Sequence, residues 1–118
     1  MTVKKAMEVL NGQFFCGEDK ADLEISAACG ADLMSDVMAF VKDKVALLTG
    51  LVNSQVIRTA ELLDIHCVIF VRGKIPTKDM IELAEESNII LCGTKHSMYI
   101  ASGMLYEAGV KSGGNRPI

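Results

Sequence analysis

The segment VALLTGLVNSQVIRTAELLD (residues 45–64) runs from an unbroken apolar stretch through a single glycine into a polar-capped amphipathic one. An apolar run without alternation reads as a strand covered on both faces, and Asn53-Ser54 ahead of the periodic Val56, Ile57 and Ala60 reads as a helix start. The same arrangement follows twice more. CVIFVRG (67–73) leads into TKDMIELAEESN (77–88), and IILCG (89–93) leads into SMYIASGMLYEAG (97–109). Gly50, Gly73 and Gly93 recur 23 and 20 residues apart. Three successive strand, glycine and capped-helix units are βα units, whose right-handed crossovers lay parallel strands beside one another under helices. The expected fold is therefore α/β: a mostly parallel sheet with flanking helices in two or three layers, built from three C-terminal βα units.

Working back from residue 45, ADLMSDVMAFVKD (31–43) places Leu33, Met34, Val37, Met38 and Val41 at helical spacing. DLEISAACG (22–30) alternates Leu23, Ile25 and Ala27 against polar neighbours and reads as a strand, while QFFC (13–16) reads as a short strand and GEDK (17–20) as a turn. Together these predict a hairpin or a loosely paired edge. A first helix is expected over Thr2 to Leu10, capped by Thr2, with Val3, Ala6, Met7 and Leu10 on one stripe and Gly12 placed to end it. One domain is expected over 1–110, followed by a flexible tail at 111–118 whose KSGGNRPI shows no periodicity.

Of the 118 residues, 50% are hydrophobic and 23% charged, which supplies material for one packed core and argues against a disordered chain. A net charge of −3 argues against nucleic-acid binding, which draws on clustered Lys and Arg to displace counterions. No apolar run approaches the roughly 20 residues of a membrane span, and the N-terminus lacks a signal-like apolar block, so a cytoplasmic location without membrane association is expected. Cys16, Cys29, Cys67 and Cys92 lie 13, 38 and 25 residues apart, which fits neither a paired metal frame nor a compact disulfide scaffold. They read as small hydrophobes.

In open parallel sheets, ligands gather where strand ends lead into helix N-termini, whose free N–H groups favour an anion. Thr49, Gly50, Asn53 and Ser54 follow the first strand of the repeat; Arg72, Gly73 and Lys74 follow the second; Gly93, Thr94, Lys95, His96 and Ser97 follow the third. Caps and turn glycines account for the hydroxyls, amides and glycines. They do not call for Arg72, Lys74 and Lys95, which mark the rim as a candidate site for a small anion such as a nucleotide. TGLVNS has one glycine and no lysine, so it is not a Walker-type loop, and no dinucleotide fingerprint is present. Lys95, His96 and Ser97 are adjacent and lack a separate orienting carboxylate, which is poor equipment for nucleophilic catalysis. His66 reads as a strand-entry residue. Glu82, Glu85 and Glu86 fall on the polar side of a helix and read as solvated.

The stretches SDVMAFVKDKVALLTG (35–50), ELLDIHCVIFVRGKIPTKDMIELAEESNIILC (61–92) and SMYIASGMLYEAG (97–109), with CGADLMSDVMAF (29–40) before them, resemble the DRTGG domain family, in particular its small stand-alone bacterial members. The resemblance is strongest from residue 32 to 109. It implies an α/β fold related to the N-terminal domains of HPr kinase/phosphorylase and of Mur ligases. Gly50, Leu51 and Val52 stand where the family has Gly-Asp-Arg; Val71, Arg72 and Gly73 stand where it has Thr-Gly-Gly, with Pro76 kept. The apolar Leu51-Val52 pair points to packing against another subunit. Such domains occur beside phosphotransacetylase or CBS modules as regulatory and dimerising units, and small members resemble genes found near iron-only hydrogenase and anti-sigma systems. Kinase chemistry in the HPr relative belongs to a separate Walker-containing domain and is not implied here.

The reading is a non-catalytic regulatory, ligand-binding or protein-interaction module, homodimeric, with no resident cofactor or metal and with a regulatory protein partner of unknown identity. Met34, Met38, Leu51 and Val52 are the candidate self-contact. The alternative is an adenine-nucleotide sensor holding phosphate with Arg72, Lys74 and Lys95. A third reading is a small metal or redox protein using Cys67, Cys92 and His96.

Overall fold

The computed structural model of the chain describes residues 1–40 and 44–112. Helix α1 (Val3–Leu10) starts where the Thr2 hydroxyl accepts the Lys5 N–H at 3.1 Å, satisfying one of the free donors of its first turn. Val3, Ala6, Met7 and Leu10 are buried along one stripe, as their spacing predicts. The helix stops at Asn11, which takes the left-handed conformation at φ 50°, a region that Asn tolerates better than most side chains. The Gly12 N–H then closes the end by donating to the Met7 carbonyl at 2.8 Å.

Beyond it the chain forms β1 (Gln13–Cys16), a 3-10 turn (Glu18–Lys20), β2 (Ala27–Gly30), α2 (Met34–Phe40), β3 (Val45–Thr49), α3 (Ser54–Leu62), β4 (Cys67–Phe70), α4 (Lys78–Glu86), β5 (Ile90–Gly93), α5 (Met98–Glu107) and β6 (Lys111–Ser112). One sheet runs in the order β1-β5-β4-β3-β2-β6. Strands β2 to β6 are parallel and β1 alone is antiparallel. Asn53, Thr77 and Ser97 cap α3, α4 and α5 with their side chains, so each βα unit has the strand, turn and cap that its sequence indicates.

The expected hairpin between residues 13–16 and 22–30 does not form. Strand β1 pairs with β5, and β2 pairs with β3 and β6, which puts the two segments on opposite sides of the sheet. The 3-10 turn does not fold the chain back on itself. The chain instead passes the start of the molecule, where Glu24 bridges Thr2 and the Ile25 N–H donates to the Met1 carbonyl at 2.7 Å. The strand proper then begins only at Ala27, not at residue 22.

Alternate strand residues build two interiors. On one face α1 and α5 cover Ala46, Leu48, Ile69 and Cys92; on the other α2, α3 and α4 cover Leu47, Val68, Phe70 and Leu91. The domain is a three-layer αβα sandwich. Central strand β4 is buried along its whole length, and shielding each such Val, Ile or Phe from water stabilises the fold by about 1.5–3 kcal/mol. In α2 only Met34 and Val37 reach the interior, while Leu33 and Met38 remain exposed; Val41 of the predicted stripe lies outside the described residues. Met34 is thus core and not a self-contact, and Leu51 and Val52 pack half-buried against the same interior. Of the expected tail, Lys111 and Ser112 pair with Ala27 and Ala28, and residues 113–118 lie outside the described residues. Among the described residues no helix is long and apolar enough to cross a membrane.

Candidate functional site

The parallel register sets Thr49 beside Phe70 and Phe70 beside Gly93, so the three strands end level with one another. All three exits therefore open on one rim of the sheet.

At the first exit the donors are already occupied. The Asp32 carboxylate, just after β2, accepts the Gly50 N–H at 2.7 Å and the Thr49 hydroxyl at 3.2 Å. The Thr49 Oγ1 also accepts the Leu51 N–H at 3.2 Å. Asn53 uses its side chain on the Gln55 N–H at 2.9 Å, and Ser54 is the first residue of α3. This turn is a tight connection that carries its own carboxylate, already bonded to these donors. Nothing in TGLVNS indicates Asp32, which lies 17 residues before Thr49. The available signal was that AACG followed by Ala-Asp is itself a strand, glycine and acid exit, a fourth member of the rim.

The second and third exits are bonded to each other. Val71 to Lys74 form a turn closed by the Lys74 N–H on the Val71 carbonyl at 3.1 Å, with Arg72 and Gly73 at φ 59° and 70°. Positive φ at both central positions is the type I′ pattern, where Gly costs nothing and a non-Gly residue needs support. That support comes from the third exit: the Arg72 N–H donates to the His96 carbonyl at 2.8 Å and the Gly73 N–H to the Thr94 carbonyl at 2.9 Å. The Arg72 guanidinium lies back across the first exit, with its Cζ 3.2 Å from where a Cβ on Gly50 would sit. Buried Thr94 donates its hydroxyl to the Leu10 carbonyl at 2.9 Å and accepts the His96 N–H at 3.3 Å. It thereby ties the end of α1 to the rim.

These contacts enclose a cleft of about 350 Å³. Gly73, Lys74, Gly93, Thr94, Lys95 and His96 line it together with Leu10, Asn11, Gln13, Phe15 and Ile75. Its lining contains two lysines and a histidine and no carboxylate. Neither Lys74 nor Lys95 takes part in an ion pair among the described residues. Six of the sequence candidates are thus brought together. Thr49, Gly50, Asn53, Ser54, Arg72 and Ser97 lie along the rim outside the cleft, and Ser97 serves as the α5 cap, accepting the Ile100 N–H at 3.2 Å.

The third reading finds no centre. Among the described residues no group of three or more His, Cys, Asp or Glu side chains is placed to hold a metal ion. Cys67 and Cys92 are buried on neighbouring strands. A hydrogen bond with Cys67, and then burial, hold the Cys92 thiol well above its ordinary range. His66 sits at the β4 entry with Nε2 3.0 Å from Asp64 Oδ1, and Glu82, Glu85 and Glu86 are exposed on α4.

The fold and rim define a small open-sheet α/β domain with a basic cleft at the carboxyl ends of its parallel strands. The chain is similar to the crystal structure of the CBS and DRTGG domains of the regulatory region of Clostridium perfringens pyrophosphatase, complexed with the activator diadenosine tetraphosphate, with a TM-score of 0.74 and 18% sequence identity. The match covers 98% of this chain and 50% of that one, so the chain spans about half the length of that structure. The α/β fold expected from the sequence is the one found. No family model matches the chain, and no curated protein sequence matches it.

Proposed function

We propose that this chain is a non-catalytic regulatory module of the cytoplasm that binds a small phosphate-bearing ligand, such as a nucleotide, in the rim cleft. The observation that carries the reading is the cleft itself: two crossed turns, bonded to each other, hold Lys74, Lys95 and His96 around one cavity free of carboxylates. A cavity of that volume falls in the range used for small ligands. The regulatory region of the similar pyrophosphatase, with its bound activator, supports the same direction. Lys74 and Lys95 supply point charges for phosphate, and the fixed backbone of the two turns holds their stems in place. Binding to the folded state alone stabilises it by about 2.7 kcal/mol at a hundred times Kd. A thermal-shift series with ATP, ADP, AMP and tripolyphosphate is the test. A rise in Tm that disappears in the Lys74→Ala, Lys95→Ala double variant supports the site; no shift at millimolar ligand removes it. Incubation with ATP leaves the nucleotide intact under this reading, and measured turnover would replace it with an enzymatic one.

The module is also read as a homodimer, through a different surface from the one suggested by Met34, Met38, Leu51 and Val52, of which Met38 is exposed. Helix α5 buries Ala101 and Leu105, yet Tyr99 and Tyr106 stay 86% and 67% exposed on its outer side, with Ile100 beside them. Gly103 lies between the two tyrosines, and a Cβ built on it would meet open space. Two such helices related by a twofold axis place Tyr99 of each against Tyr106 of the other, with Gly103 at the crossing, which is the self-complementarity an isologous contact demands. Light scattering at about 50 μM, a concentration suited to a weak interface, distinguishes dimer from monomer. A Gly103→Arg change shifts the species to monomer if this surface is the contact.

A further inference from the structure

Resting on the anion-binding reading above, we infer that the cleft takes a nucleoside phosphate whose base lies on the ring of Phe15, with its phosphates at Lys74 and Lys95. The inference begins with an irregularity in β1. Phe14 pairs with Cys92, and two residues on Cys16 pairs with Leu91, only one residue back. Strand β1 therefore carries one extra residue, Phe15. A bulge of this kind re-aims the side chain it contains and is favoured at sheet edges and beside sites. Here it brings the ring across the end of β5. A Cβ on Gly93 would come within 2.8 Å of Phe15 Cε2. The glycine at this strand end thus makes room for an aromatic ring as well as for a turn.

The ring is only half-buried, and it lines the cleft together with Leu10 and Ile75. The same cavity is thus lined by two kinds of group: the apolar and aromatic side chains with the amides of Asn11 and Gln13, and the charged Lys74 and Lys95. Inorganic phosphate or a sugar phosphate makes use of only the charged set. A nucleoside phosphate uses both, because any base offers a π-face to an aromatic ring and polar edges to amides. Phe15 is thus assigned as a specificity residue, and the lysines as the source of the charge-dependent affinity.

Isothermal titration of the full chain with ATP and with tripolyphosphate separates the two contributions. ATP is expected to bind about 5- to 150-fold more tightly than tripolyphosphate, the range that stacking on one aromatic side chain supplies. Phe15→Leu brings ATP down to the tripolyphosphate level and leaves tripolyphosphate unchanged, whereas Lys74→Ala weakens both. Should the leucine variant misfold, the wild-type chain still gives an answer. The Phe15 ring protons shift upfield in NMR spectra on adding ATP and stay in place on adding tripolyphosphate. Equal affinity for the two ligands, or Phe15 resonances that ignore ATP, overturns the base assignment while the anion site stands. Failure of both ligands to bind overturns both.

Discussion

Replacing Thr94 with valine keeps the side chain's shape and removes one oxygen, which isolates the two hydrogen bonds that oxygen makes. The bond to the Leu10 carbonyl is buried, at 2.9 Å, and that to the His96 N–H is partly buried, at 3.3 Å. Leu10 is the last residue of α1, so its carbonyl has no intrahelical donor and loses its side-chain partner. A buried acceptor left unmatched costs about 1–3 kcal/mol, and the longer rim bond adds about 0.5 kcal/mol. Unfolding entropy of about 2.1 cal/mol/K per residue over 118 residues comes to about 0.25 kcal/mol/K, or about 4 °C per kcal/mol. The expected fall in Tm is therefore about 6–14 °C by differential scanning calorimetry. Thr94→Ser, which keeps the oxygen and loses a methyl group, costs only about 1 kcal/mol. If the valine variant melts no lower than the serine variant, the hydroxyl does not join α1 to the rim, and the account of how the cleft is held is wrong.

Two glycines with crowded surroundings are expected to differ in how much an added methyl group costs. A Cβ at Gly12 meets the Gly93 carbonyl oxygen at 2.7 Å and Met7 Sδ at 2.6 Å, and backbone cannot step aside, so Gly12→Ala loses about 1–3 kcal/mol in urea denaturation. A Cβ at Gly50 meets the flexible end of Arg72, and Gly50→Ala loses less than about 1 kcal/mol. Asp32→Ala removes the charge-assisted bond to the Gly50 N–H and is expected to lower stability by about 1–2 kcal/mol, with ATP affinity in calorimetry unaltered because Asp32 lies off the cleft. Stability also depends on thiol ionisation. Burial raises the Cys16 and Cys29 thiols, and the Cys67 hydrogen bond followed by burial raises Cys92. The folded chain therefore holds protons that the unfolded chain releases above pH 9.0, the ordinary thiol value. Stability is complete below that pH and falls above it, chiefly through buried Cys92, by up to about 1.4 kcal/mol per pH unit; solvent exposure makes the share of half-buried Cys16 and Cys29 smaller. Urea midpoints compared at pH 8 and pH 10 test this, with Cys92→Ala expected to show the smaller drop.

The C-terminal half was legible because each βα unit carries its own punctuation within about twenty residues: an apolar run, a glycine and a capping Asn, Thr or Ser. The N-terminal third was not, because its pairings are set at long range. QFFC reads as a strand, but nothing in it names β5 as its neighbour, and small residues such as Ala27 and Ala28 fit between β3 and β6 as readily as in a hairpin. The same division runs through the site. Gly73, Lys74, Thr94, Lys95 and His96 could be placed on a rim because they follow strands directly. Asp32 read as an ordinary residue at a helix start, and Phe15 as one more aromatic in a short strand. A bulge is a property of a pair of strands, and a single strand's sequence does not announce it.

The bond between Thr94 and Leu10 joins residues 84 positions apart. Closing a loop of that length costs only about 0.6 kcal/mol more than closing one half as long, but it must happen before the cleft has a second wall. Occupancy of the cavity thus reports on assembly of the entire chain, and any ligand lodged there acts as a clasp between its two ends. Excision of the first sixteen residues would leave every βα unit its own strand, turn and cap and still abolish recognition.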